Sequence, residues 1–212
     1  MGTKCYPEEI LEGIEYRRIP LVVHPAAFRE RWRIPENEKM VGPMLPPSRD
    51  EWQAAGAEII LSEEPYRLAP GCWTTGNVPR QSFEESGRGS AMAYREGETF
   101  FTDDIEEDQS IIINIKDKGL VVVSGCAHSG IVNTVNYGRK ISGVDKVWAI
   151  LGGFHLGRSP EDEIVMTVAE IKNLKPELIA PTHCTGFQAM SQFAHEMPDE
   201  FVYGVVGTKY LF

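Results

Sequence analysis

The sequence predicts one α/β domain, and three observations carry that prediction. From residue 110 onward, β-branched runs of strand length alternate with amphipathic stretches of helix length. Three of the apolar runs end in a turn and then a histidine: 121–128, 148–155 and 178–183. The 212 residues are 42% hydrophobic and 25% charged, enough apolar side chain for one core of this size.

Residues 7–16 read as a short helix, with Pro7 suited to a first turn and Ile10, Leu11 and Ile14 on one face. Residues 19–23 are a short apolar strand closed by Pro25, and 26–32 read as a helix. Residues 33–47 hold four prolines and read as loop. Ser48 and Glu51 have capping-box spacing and open a helix over 48–55, followed by a strand over 57–61. Residues 70–109 are punctuated by glycine and proline and read as a long loop excursion, a potential lid. Residues 110–115 and 120–124 are strands joined by Lys116-Asp-Lys-Gly119, a hairpin. Ser129 is placed as the cap of a helix over 129–141, and 146–151 is a strand. Ser159 and Pro160 open the strongest helix, with Ile164, Val165, Val168 and Ile171 as its stripe. A strand over 178–180, a helix over 187–195 and a strand pair over 201–212 complete a single domain spanning 1–212.

Acidic residues outnumber basic ones 31 to 21, a net charge of −10. That disfavours a nucleic-acid partner, which needs a basic face to release counterions. No apolar run approaches the roughly 18 residues of a membrane span, and Met1-Gly-Thr-Lys-Cys5 lacks a signal-peptide core. Cys5, Cys72, Cys126 and Cys184 form no Cys-x-x-Cys pair. They read as reduced thiols, which points to the cytoplasm.

Strand carboxyl ends are where α/β folds place ligands. His128, His155 and His183 each follow such an end, and three imidazoles on one rim suit a zinc or iron centre. A hydrogen-bonded structural histidine is the alternative at each position. Cys126 and Cys184 stand beside them as soft ligands or as small buried hydrophobes. Asp108 precedes the strand at 110 and is either a ligand or an exposed member of the acidic run 103–108. Arg80, in Thr75-Gly-Asn-Val-Pro-Arg80, could hold a phosphate or carboxylate, and Ser129 at a helix start could help dock an anion or simply cap. His24 and His195 read as structural and surface residues. There is no Gly-x-Ser-x-Gly elbow, so a serine triad has little support.

The run Gly119-Leu-Val-Val-Val-Ser-Gly-Cys-Ala-His-Ser-Gly-Ile-Val-Asn133, with Leu151-Gly-Gly-Phe-His-Leu156 and Pro181-Thr-His-Cys-Thr-Gly186, resembles one branch of the metallo-β-lactamase superfamily. That branch is labelled 7,8-dihydropterin-6-methyl-4-(β-D-ribofuranosyl)-aminobenzene-5′-phosphate synthase, or dihydropteroate-synthase-related. Pro20-Leu-Val-Val-His-Pro25 and Thr75-Gly-Asn-Val-Pro-Arg80 resemble it too. The resemblance implies an αββα sandwich with metal at one edge, where His128 and His183 lie at or near the metal and His155 lines the pocket. Members of that superfamily use zinc, iron or manganese, mostly in hydrolysis of small substrates.

The superfamily's His-x-His-x-Asp-His motif has no counterpart here, since no two histidines lie within four residues of each other. The expectation is therefore an N-terminally truncated member. A two-metal clamp needs about five or six protein ligands, so the centre expected here is at most a weaker mononuclear one. Its open sheet edge should pair in a homodimer. Three functions follow as expectations: a metal-dependent hydrolase for a phosphoester or similar small anion, a ligand- or partner-binding remnant without turnover, and an iron-binding redox protein.

Overall fold

The computed structural model describes residues 18–34, 39–84 and 91–212; the helix read at 7–16 lies outside them. In chain order the first elements are β1 (Ile19–Val23), β2 (Arg31–Arg33), β3 (Val41–Met44), α1 (Arg49–Ala54) and β4 (Ala57–Leu61). Next come β5 (Tyr66–Ala69), β6 (Cys72–Thr74), β7 (Met92–Glu96), β8 (Thr99–Thr102), β9 (Ser110–Ile115) and β10 (Gly119–Ser124). The last are α2 (Ile131–Ser142), β11 (Val147–Gly153), α3 (Glu161–Asn173), β12 (Leu178–Thr182) and α4 (Phe187–Glu196).

A six-stranded sheet of order β12-β11-β10-β9-β6-β5 is the frame. β9 and β10 form the hairpin that the sequence predicts, with Ile115 opposite Gly119 and Ser110 opposite Ser124. β10, β11 and β12 run parallel, so their carboxyl ends share one rim. Side chains alternate across the sheet with period two. Ile112, Leu120, Val122, Ile150 and Ile179 face the helices and join Ile131 and Val135 of α2, Ile164, Val168 and Ile171 of α3, and Phe193 of α4 in one core. Val121, Ala149, Leu151 and Ala180 face the other way, under Val202 and Tyr210. Ile111 on that second face is 40% exposed.

Several expectations change. Residues 26–32 are no helix: a 3-10 turn over Pro25–Phe28 gives way to β2. Residues 33–47 contain β3, and the excursion 70–109 contains β6, β7 and β8. β3, β2, β7 and β8 make a four-stranded antiparallel sheet, with Trp32 edge-on to Phe100 at 5.1 Å. What reads locally as loop is strand paired across long sequence separations. Arg31 anchors this sheet by pairing with the buried Asp103 and, at 2.6 Å, with Glu107. The pair at 201–212 reduces to a single bridge between Phe201 and Ile179. Helix α3 starts at Glu161, with Pro160 rather than Ser159 at its cap, and Val165 is 47% exposed where the stripe placed it inside. The Ser48–Glu51 capping box is present, with Glu51 N–H donating to Ser48 Oγ at 3.2 Å and Ser48 N–H to Glu51 Oε2 at 2.7 Å. Among the described residues no helix is long and apolar enough to cross a membrane.

Candidate metal centre

The parallel run of β10, β11 and β12 delivers three histidines to one rim. The segment after β10 carries Cys126 and His128, the one after β11 carries His155, and the one after β12 begins with His183 and Cys184. The His128 and His155 rings lie 4.0 Å apart between centroids, tilted by 47°. His183 is near enough that its charge disfavours protonation of both. One ligand atom each from Cys126, His183 and Cys184 lies within 4.8 Å of the others. Each strand exit also puts a non-glycine residue into left-handed backbone: Ala127 at φ 56°, His155 at 51° and His183 at 52°. Such residues are uncommon and cluster at functional sites. Gly153 lets the exits close up, because a Cβ there would lie 2.5 Å from the Gly125 carbonyl oxygen and 2.8 Å from Cys184 Sγ.

Burial sets the protonation of these groups. Loss of water pushes His128 down to about 4, with His155 and Arg80 adding to the effect. Burial likewise lowers His155, helped by Arg158 and His183. Both imidazoles are therefore neutral near pH 7, the form that binds metal. Asp108 is buried, not exposed as the acidic run around it suggests. Burial lifts its carboxyl to about 6, against the pull of the Ser129 and His128 backbone N–H groups and Arg80. Cys126 is pushed up to about 12 by burial and by the facing Cys184, and burial raises Cys184 too.

The donor set fits a metal ion. Among the described residues, His128 Nδ1, His155 Nδ1 and Asp108 Oδ2 are buried polar atoms without a hydrogen-bond partner. Buried polar atoms normally find one, and these three lie beside Cys126, His183 and Cys184, whose ligand atoms do come close enough to share one ion. His24 is separate: its Nδ1 accepts from Ala26 N–H at 3.1 Å, a structural role. His195 is exposed in the last turn of α4.

Arg80 sits beside the centre, close enough to act on both His128 and Asp108. It donates to the Asp104 carbonyl at 2.6 Å and borders an open depression of about 280 Å³ with Asn77, Val78, Pro79, Asp104 and Glu106. Ser129 neither caps α2 nor leaves its N-terminus open to an anion. Gly130 is the cap residue, and the buried Glu84 carboxylate accepts from Val132 N–H at 3.1 Å and Asn133 N–H at 3.0 Å. Glu84 was invisible in the sequence because it belongs to a distant segment. The one local hint is Gly130, whose φ of 93° and contact with Glu84 leave no place for a side chain.

Sheet, helices and rim together define a protein of the metallo-β-lactamase fold. A crystal structure described as a metal-dependent hydrolase of the β-lactamase superfamily superposes with a TM-score of 0.75 at 22% identity, over 92% of this chain and 72% of that one. The chain is also a relative of the 7,8-dihydropterin-6-methyl-4-(β-D-ribofuranosyl)-aminobenzene-5′-phosphate synthase of Methanocaldococcus jannaschii, at 32% identity over 188 residues. An uncharacterised protein of the same organism is 29% identical over 187 residues. The alignments take in 87% and 88% of this chain but only 63% and 66% of those relatives. No protein-family model matches the sequence.

Proposed function

We propose that this chain is a hydrolase-like protein that acts on a phosphoester or similar small anionic substrate through one divalent metal at the carboxyl rim of β10, β11 and β12. The observation that supports the reading is the rim itself, where the His128 and His155 rings lie 4.0 Å apart with unpartnered buried Nδ1 atoms and His183 is near enough to act on both. A metal held there supplies Lewis acidity and lowers the pKa of a bound water. The chain's own groups do the rest. Asp108, half-protonated near pH 6, is placed to hold or pass a proton at the rim. The Arg80 guanidinium offers fixed donors to the substrate's anionic group. The phosphate in the relative's name and the metal dependence in the structural neighbour's description both support this class of substrate and cofactor.

The test uses the full chain, stripped and reloaded with zinc, iron or manganese, against bis(p-nitrophenyl) phosphate and p-nitrophenyl phosphate. Metal-dependent nitrophenol release is expected, falling at least about tenfold in His128→Ala and His183→Ala. A folded, metal-loaded protein with no release from either ester overturns the hydrolase reading. It would favour the second reading, a binding domain without turnover. We also propose a homodimer formed through the exposed sheet edge at β5, whose Arg67, Leu68 and Ala69 are exposed.

A further inference from the structure

Of the cluster Cys126, His183 and Cys184, the two cysteines remain to be explained once the three histidines have been given their role. The cluster's two sulfurs and one ring nitrogen lie within 4.8 Å of one another. An ion bonded at ~2.3 Å to sulfur and ~2.0 Å to nitrogen sets tetrahedral ligand atoms roughly 3.5–4 Å apart. Small side-chain adjustments therefore suffice to bring the three onto one ion. The backbone already brings them together: Cys126 leaves β10, His183 and Cys184 open the turn after β12, and the missing Cβ of Gly153 makes room for Cys184 Sγ.

The ordinary explanation, that these cysteines pack as small hydrophobes, fits poorly. Neither is fully buried, and their neighbours are each other, an exposed imidazole and a carbonyl. The Cys184 thiol has a long contact of 3.5 Å to the Cys126 carbonyl, which a metal bond would replace at little cost. His183 is exposed, which leaves a path for an ion to enter and a position open to water or substrate.

We propose that Cys126 and Cys184, together with His183, supply a sulfur-containing face of the metal centre that selects a thiophilic ion, zinc or ferrous iron, over manganese or magnesium. This rests on the metal-centre reading above and narrows it. Thiolates favour such ions, whereas manganese and magnesium are better served by oxygen donors. Uptake of a dication by the two thiols and the His183 ring releases one proton from each sulfur to solvent and transfers no electron.

Cobalt(II) titration of the reduced, chelator-stripped full chain tests the proposal, because cobalt reports its ligands by colour. One equivalent should bind with a near-ultraviolet sulfur-to-cobalt charge-transfer band. That band should fall by about half in Cys126→Ser and in Cys184→Ser and vanish in the double variant. Zinc should displace the cobalt, and a hundredfold excess of manganese should not. Cobalt bound with visible ligand-field bands but no charge-transfer band overturns thiolate ligation and leaves the metal centre standing. Displacement by manganese overturns the selectivity. No cobalt retained by the folded wild-type chain overturns both this proposal and the reading on which it rests.

Discussion

Replacing Glu84 with alanine should destabilise the protein by about 2–4 kcal/mol, although Glu84 lies in a segment with no sequence pattern of its own. Its carboxylate accepts from Val132 N–H at 3.1 Å, Asn133 N–H at 3.0 Å and Ser82 Oγ at 2.9 Å, with the side chain almost wholly buried. Alanine strands two N–H groups of the first turn of α2, at about 1–3 kcal/mol each. Part of that loss is offset because a carboxylate, which burial already pushes toward its neutral form, no longer has to be desolvated. Glutamine keeps one acceptor oxygen but turns an N–H₂ toward the other donor, so about half the loss is expected. For a chain of this length the alanine variant should melt about 4–16 °C lower. Urea unfolding of the metal-free protein measures the difference directly. A shift under about 0.5 kcal/mol would refute the view that a distant carboxylate, and not Ser129, holds the start of α2. Gly130→Ala attacks the same contact from the helix side, so the double variant should lose less than the two single losses combined.

Arg31→Ala leaves the buried Asp103 without its main cation, which typically costs about 3–5 kcal/mol; chemical denaturation resolves a loss of that size, and a loss under 1 kcal/mol would show that Asp103 is held by other groups. In the metal-free protein, His128 and Asp108 should give opposing pH dependences. The lowered His128 contributes stability above its ordinary value of 6.5 that is lost as pH falls through about 4, whereas the raised Asp108 contributes stability below 3.8 that is lost as pH rises through about 6. Asp108→Asn should therefore unfold more steeply with acid between pH 6.5 and 4 than the wild type, and equal slopes would count against the buried assignment of Asp108. Size-exclusion with light scattering should give twice the 23.7 kDa chain mass, and a monomer across the micromolar range would remove the edge-pairing proposal.

The carboxyl-terminal half was legible because its signals are local. The β-branched alternation of 110–115 and 120–124, with a four-residue turn between, dictates a hairpin, and it forms in that register. The capping box at Ser48 and Glu51 is likewise a contact three residues long. The four-stranded sheet was not legible. Its strands are three to five residues long, and β2 pairs with β7 some sixty positions away. Short antiparallel strands take their stability from partners, which leaves little trace in the strand's own sequence. One signal is local: Met92-Ala-Tyr-Arg-Glu-Gly-Glu-Thr-Phe-Phe-Thr102 is a hairpin pattern, turned at Gly97 with φ 58°.

The rim shows why three histidines could be placed at one edge from the sequence while their electrostatics could not. Parallel strands in register put equivalent sequence positions at equivalent depth, so a histidine after each of three such strands arrives at the same edge. Topology alone accounts for that, given only that the strands are neighbours. Protonation depends instead on what closes over the rim. Asp108 comes from the approach to β9 and Arg80 from the segment after β6, and neither distance is encoded by spacing. The left-handed backbone at Ala127, His155 and His183 adds a constraint that neither sequence nor topology required. Each costs on the order of 1–2 kcal/mol for a residue other than glycine. Of the six described non-glycine residues in that backbone, three stand at these exits and two of those are imidazoles, which is the pattern that the proposed metal centre requires.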